Sequence, residues 1–176
     1  MKMFTSKPVL AGICLLASSL LVSACTAAPS PAASANLAAQ PAQAQTAAST
    51  TLPTMQVYKD PNCGCCNGWI RHMRAAGFTV LAQDTSDMSP IKQRLGVGDA
   101  MQSCHTTEIE GYVIEGHVPA SDIQRLLKER PKARGLVLPG MPVGSPGMES
   151  PDGHTQPFTV MLLAEDGSLQ PWATHP

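Results

Sequence analysis

An α/β fold is the class this 176-residue sequence predicts, and three observations carry it. From Met55 onward, short apolar extended segments alternate with segments whose apolar residues recur at helical spacing. A cluster of cysteines falls at the junction between the first extended segment and the first helical one. Near the C-terminus, two strand-like runs flank a short polar turn.

Met55 to Tyr58 reads as the first strand, and "DPNCGCCNGW", residues 60 to 69, follows almost at once. From Asn67, the residues Trp69, Met73 and Ala76 mark one face of a helix, and Gly77 can supply its left-handed cap. Phe78 to Ala82 is the second strand. Ser89-Pro90 opens a second helix, because proline fits the first turn; Ile91 and Leu95 share its apolar face and Gly96 ends it. Thr106 to Ile114 has strand character interrupted at Glu110-Gly111, and "EGHVP" turns the chain onward. Ile123, Leu126 and Leu127 mark a third helix, stopped by Pro131. Gly135 to Gly153, rich in glycine and proline, reads as an ordered loop over the core. Phe158 to Leu163 and Leu169 to Trp172 flank Glu165-Asp166-Gly167-Ser168, a hairpin pattern. The order β-α-β-α-β-β-α, with cysteines between the first strand and first helix, is that of a thioredoxin-like fold with an added C-terminal β-hairpin.

The N-terminal third differs in kind. Lys2 and Lys7 precede an apolar stretch, Pro8 to Val22, broken only by Ser18 and Ser19, and Val22-Ser23-Ala24-Cys25 follows. This pattern predicts a lipoprotein signal peptide over residues 1–24, with Cys25 lipidated as the mature N-terminus. Ordinary cleavage after Ala24 would instead leave Cys25 an unmodified thiol. The apolar run is marginal for a permanent span, which needs about 20 residues. Thr26, where an aspartate would resemble a retention signal, points to the outer rather than the inner membrane. Residues 25–54 are uncharged and rich in Ala, Pro, Gln, Ser and Thr. They bury too little apolar surface to fold and form a tether with a reach of about 30 Å.

Residues 55–176 suit one compact domain. Without Lys2 and Lys7, 10 basic residues stand against 13 acidic ones, a formal charge near −3. No basic run or aromatic-basic interleaving favours nucleic acid, and no G-x-S-x-G, P-loop or paired-carboxylate motif appears.

The chemistry therefore rests on sulfur. Cys63, Cys65 and Cys66 occupy three of four consecutive positions, and Cys104 stands far along the chain beside His105. A helix N-terminus favours thiolate, which is both the nucleophile and the metal-binding form. Cys63 as nucleophile and Cys66 as resolver would suit a thiol-disulfide oxidoreductase. Cys65 complicates that reading, since a neighbouring thiol diverts the mixed disulfide. Cys104 alone could be a small buried apolar residue. Four thiols in an oxidising compartment need disulfides or metal, and soft sulfur ligands select copper(I), zinc or iron–sulfur clusters. Structural zinc sites use separated ligand pairs, whereas three thiolates so close together favour bridging sulfurs and several ions. His105 and His117 are further ligand candidates, as are the thioethers of Met141 and Met148 in "PGMPVGSPGME"; His72 reads as a solvated helix residue.

Four stretches together, "VYKDPNCGCCNGWIRHMRAAGF", "RLGVGDAMQSCHT", "GYVIEGHVPASDIQRLL" and "PGMPVGSPGME", resemble the CopG-like periplasmic copper-resistance proteins. The resemblance spans nearly all of Tyr58 to Trp172. It implies a thioredoxin-like fold and copper(I) held in a cysteine-bridged, multinuclear cluster by Cys63, Cys65, Cys66 and Cys104. It also implies periplasmic copper-efflux or copper-oxidase proteins as partners, with exchange between copper(I) and copper(II). The expected function is a periplasm-facing, lipid-anchored copper(I)-binding protein for copper resistance. A thiol-disulfide oxidoreductase and a structural zinc module are the alternatives.

Overall fold

The computed structural model describes residues 52–176. The predicted signal peptide, the expected lipidation site Cys25 and the predicted tether as far as residue 51 lie outside the described residues. The tether expected to reach residue 54 stops short of it, because Thr54 already pairs with Thr79 as the first residue of the first strand. In chain order the elements are β1 (Thr54–Lys59), α1 (Gly64–Ala75), β2 (Thr79–Asp84), α2 (Ser89–Leu95), a 3-10 turn (Asp99–Met101), β3 (His105–Ile109) and β4 (Tyr112–Glu115). Then come α3 (Ala120–Glu129), β5 (Gly135–Val137), β6 (Phe158–Leu163) and β7 (Leu169–His175). The seven strands form a single mixed sheet in the order β2-β1-β3-β4-β5-β6-β7.

Strand pairing follows from the connections. α1 carries the chain over the sheet, so β2 returns parallel to β1, as a helical crossover requires. β3 and β4 are antiparallel and joined by Glu110-Gly111, whose φ angles of 50° and 83° supply the left-handed pair that a tight hairpin needs. Met55 and Val57 of β1, Trp69 and Met73 of α1, Ile114 of β4, and Ile123 and Leu126 of α3 are fully excluded from water. The helical spacing read for α1 and α3 thus marks their core faces. The last two strands pair antiparallel, with Phe158 opposite His175 and Leu163 opposite Leu169.

Three details depart from expectation. α1 begins at Gly64 rather than Asn67, because the Cys63 sulfur accepts the Cys66 N–H at 3.2 Å and caps the helix. The buried residue of α2 is Lys92, while Ile91 and Leu95 are only half-buried. Gly135 to Val137 are not loop: they form β5, between β4 and β6 in the sheet. Gly135 makes that possible. A Cβ there would lie 1.7 Å from the Val113 carbonyl oxygen, so only glycine allows this approach to β4.

Candidate metal centre

The four cysteines of residues 52–176 converge on one place. Cys63, Cys65 and Cys66 sit at the cap and first turn of α1, and Cys104 immediately precedes β3. β3 lies beside β1 in the sheet, with His105 opposite Lys59, which brings Cys104 to the end of β1 where α1 begins. Cys65 Sγ is 3.4 Å from Cys63 Sγ and 3.8 Å from Cys104 Sγ, and Cys66 Sγ is 3.5 Å from Cys104 Sγ. Metal–sulfur bonds of about 2.3 Å put two thiolates on one tetrahedral ion roughly 3.8 Å apart. The cluster is already near that spacing. Cys63 and Cys66 are joined as a disulfide, with Cα atoms 5.3 Å apart, while Cys65 and Cys104 are free. Only Cys66 is fully buried; the other three are half-buried.

Two imidazoles extend the cluster, and both are completely buried. His117 Nε2 lies 3.0 Å from Cys104 Sγ, and its Nδ1 lies 2.8 Å from the Pro146 carbonyl. That carbonyl can only accept, so Nδ1 carries the proton and Nε2 turns its lone pair to the sulfurs. Metal-ligating histidines use this arrangement, the second ring nitrogen donating to a backbone carbonyl. His105 Nδ1 lies 3.4 Å from Cys104 Sγ, whereas its Nε2 is buried without a partner. Trp69 packs against His105 with ring centroids 4.5 Å apart and donates its indole N–H to the Val118 carbonyl at 2.9 Å, which secures the turn bearing His117.

Burial governs protonation here. It pushes the Cys104 thiol up to about 12, with the neighbouring Cys65 adding to the effect. The thiolate expected of a helix N-terminus therefore does not extend to Cys104, which lies off the helix. Burial lowers both histidines, His105 far below the ordinary imidazole range and further through His117 and Lys92. Both imidazoles are neutral near neutral pH, the form that binds metal.

Residues 138–157 form a strap across this site. Its Gly147 rests on the first turn of α1: a Cβ on Gly147 would meet Trp69 N at 2.5 Å and Cys65 O at 2.6 Å. Gly68 faces it, with a Cβ there falling 2.9 Å from the Gly147 Cα. Glu149 pairs with His72 at 2.6 Å, so the solvated His72 has a tethering contact that helical spacing alone did not reveal. Met148 is half-buried in this strap and Met141 is exposed.

Four cysteine sulfurs, two of them joined as a disulfide, and two neutral imidazoles within reach of common points, on a mixed α/β sheet domain, define a candidate soft-metal-binding protein. The model of a family of unknown function, DUF411, matches residues 101–148. Two solved structures of copper resistance protein CopG, Form 1 and Form 2, are each 46% identical to this chain with a TM-score of 0.67. Each comparison covers 71% of this chain, and respectively 98% and 99% of the other. No curated protein matches. The chain belongs to the CopG-like copper-resistance family.

Proposed function

We propose that this chain is an extracytoplasmic copper(I)-binding protein of copper resistance, in which Cys63, Cys65, Cys66 and Cys104 hold copper as bridging thiolates. The observation that carries this reading is the convergence of four sulfurs from two distant segments, all within 4.8 Å of one another. His117 is the fifth ligand by its tautomer, and His105 the sixth candidate. Met141 and Met148 remain candidates as thioether donors on the strap. The β2-β1-β3-β4 portion of the sheet with α1 and α3 is read as the thioredoxin-like frame, and β6-β7 as its added C-terminal hairpin. Zinc suits the site less well, since three sulfurs within four residues favour shared, multinuclear ligation.

Loading requires the Cys63–Cys66 disulfide to open. Reduction takes two electrons and yields two thiols, whose protons leave as metal binds. Two external thiols, or one dithiol, can supply those electrons and leave as a disulfide. So can two copper(I) ions oxidised to copper(II), which links the disulfide to the copper(I)/copper(II) cycling that the family resemblance implies. Efflux and copper-oxidase proteins are the partners this cycle would serve. Lipid attachment at Cys25, with an outer-membrane anchor, is the corresponding proposal for location. Among the described residues, no helix is long and apolar enough to cross a membrane.

A second reading keeps its place because the disulfide joins the CxxC pair itself. In a thiol-disulfide exchanger the half-buried Cys63 takes the attack and the buried Cys66 resolves it. Anaerobic titration of the reduced full chain separates the possibilities. Several copper(I) equivalents with weak insulin-disulfide reduction support the copper reading. One zinc equivalent with no copper uptake, or strong disulfide reduction with none, overturns it.

A further inference from the structure

A buried ion pair beside the cysteines is unused by the reading so far. Lys92, on α2, and Glu115, the last residue of β4, are 4% and 0% exposed. The Lys92 ammonium donates to Glu115 Oε1 and, at 3.1 Å, to Thr106 Oγ1. Thr106 sits opposite Glu115 in the β3–β4 register, and its hydroxyl donates to Glu115 Oε2 at 2.6 Å. These contacts engage both carboxylate oxygens. The same Oε1 that meets Lys92 also accepts the backbone N–H of Ser103, at 2.6 Å.

That last bond reaches the metal centre. Ser103 directly precedes Cys104 and His105, and Glu115 lies two residues before His117. Ser103 is held from two further directions: its hydroxyl donates to the Gly140 carbonyl, and its Cβ packs on Gly116. A Cβ on Gly116 would stand 2.6 Å from the Ser103 Cβ and 2.5 Å from the Leu138 carbonyl oxygen. The Gly116 N–H also donates to the His105 carbonyl at 3.0 Å. The Ser103–His105 and Glu115–His117 segments are thereby fixed against one another, and the 3.0 Å approach of Cys104 Sγ to His117 Nε2 spans them.

We infer that Glu115 is a positioning residue of the metal centre: its carboxylate, neutralised by Lys92, holds the Ser103 N–H and so sets Cys104 against His117. The inference rests on the copper reading above. A carboxylate is used because a single side chain must accept three donors at once, from an ammonium, a hydroxyl and a backbone amide. Lys92 makes that charge tolerable in a place water does not reach. Groups that orient the ligands without touching the ion typically change metal affinity by about 10- to 100-fold when removed.

The test uses the reduced full chain and two double variants, because Glu115→Gln alone strands the Lys92 ammonium. Lys92→Met with Glu115→Gln removes both charges and keeps a carbonyl oxygen for Ser103. Lys92→Met with Glu115→Met removes the charges and the acceptor together. Copper(I) affinity, the ultraviolet sulfur-to-copper absorption band, and the rate at which iodoacetamide labels Cys104 without metal are measured on each. The first variant should match wild type within about threefold. The second should lose about 10- to 100-fold in affinity, shift the absorption band, and label Cys104 faster. A folded Met/Met variant with wild-type affinity, spectrum and labelling rate overturns the inference. So does a Met/Gln variant as impaired as the Met/Met one, since neutralising the charges alone would then explain the loss. If Met/Met fails to fold, Ser103→Pro replaces it, removing the N–H that Glu115 accepts with the ion pair intact. The same losses are then expected, and Ser103→Ala, which keeps the N–H, should stay within about threefold of wild type. Faster Cys104 labelling in a chain whose wild type takes up no copper would uphold the positioning role while rejecting the copper reading.

Discussion

Replacing Gly147 by alanine tests whether the strap is built onto the cysteine turn or merely lies near it. Two costs add. Gly147 has φ of 87°, and a non-glycine residue in the left-handed region costs about 1–2 kcal/mol. The new Cβ would also stand 2.5 Å from Trp69 N and 2.6 Å from Cys65 O, both backbone atoms of a helix that cannot rotate aside. Overpacking of this kind costs about 1–3 kcal/mol. The sum is about 2–5 kcal/mol, unless the strap lifts and gives up its contacts instead. With a urea slope of about 1.5 kcal/mol per molar, the unfolding midpoint of the metal-free chain should fall by roughly 1–3 M. Lifting the strap would break the 2.8 Å bond from His117 to Pro146 and free the His117 tautomer, so copper(I) affinity should fall as well. Gly64→Ala is the matched control. It lies in the same helix turn, yet nothing stands within 4 Å of its Cβ, so its effect should stay within about 0.5 kcal/mol. Equal midpoints and equal copper affinities for Gly147→Ala and wild type would refute the argument.

Three other outcomes are expected. Cys65→Ser should reduce copper(I) loading by more than one equivalent, because Cys65 Sγ lies between Cys63 and Cys104 and a bridging sulfur serves two ions; unchanged loading in a metal titration counts against bridging. Burial holds His105 and His117 below their ordinary range, so in acid the unfolded chain takes up protons that the folded chain refuses. The stability these histidines contribute is thus whole above about pH 6.5 and is lost as pH falls below it, by up to about 1.4 kcal/mol per pH unit for each proton. Urea midpoints of the metal-free chain between pH 7 and 5 measure this, and His105→Asn should flatten the slope. Cys25→Ser should move the protein out of the membrane fraction or leave an uncleaved precursor, read by fractionation and N-terminal sequencing; a wild-type chain already fully soluble and beginning at Thr26 or later would contradict lipidation.

Much of the site was legible because sulfur chemistry is carried by residue type and spacing. Cys63, Cys65 and Cys66 announce themselves within four positions, and the helical recurrence of Trp69 and Met73 shows which way the following helix faces. Bringing Cys104 and His117 into the same site required a topology, and the strand order supplied it. Other features left no local trace. A lysine at position 92 reads as solvated until its partner 23 residues later is known. β5 is too short for any periodicity, and its opening glycine reads as a loop signal until Val113 is seen against it. The meeting of Gly68 with Gly147 is of the same kind: two ordinary glycines whose purpose appears only when two backbones touch.

The position of β5 also orders events during biogenesis. Every cysteine and histidine of the candidate centre lies before residue 118, but β4 gains its second neighbour only when residues 135–137 arrive. A chain emerging N-terminus first therefore assembles its thiols while the fully buried β4 still presents an unpaired edge. Such edges invite pairing with other chains, and exposed thiols invite wrong disulfides. The last 42 residues are a late closing piece. Truncation after Arg134 would leave the cysteines and histidines of the centre present and the edge open, giving aggregation rather than a smaller working domain.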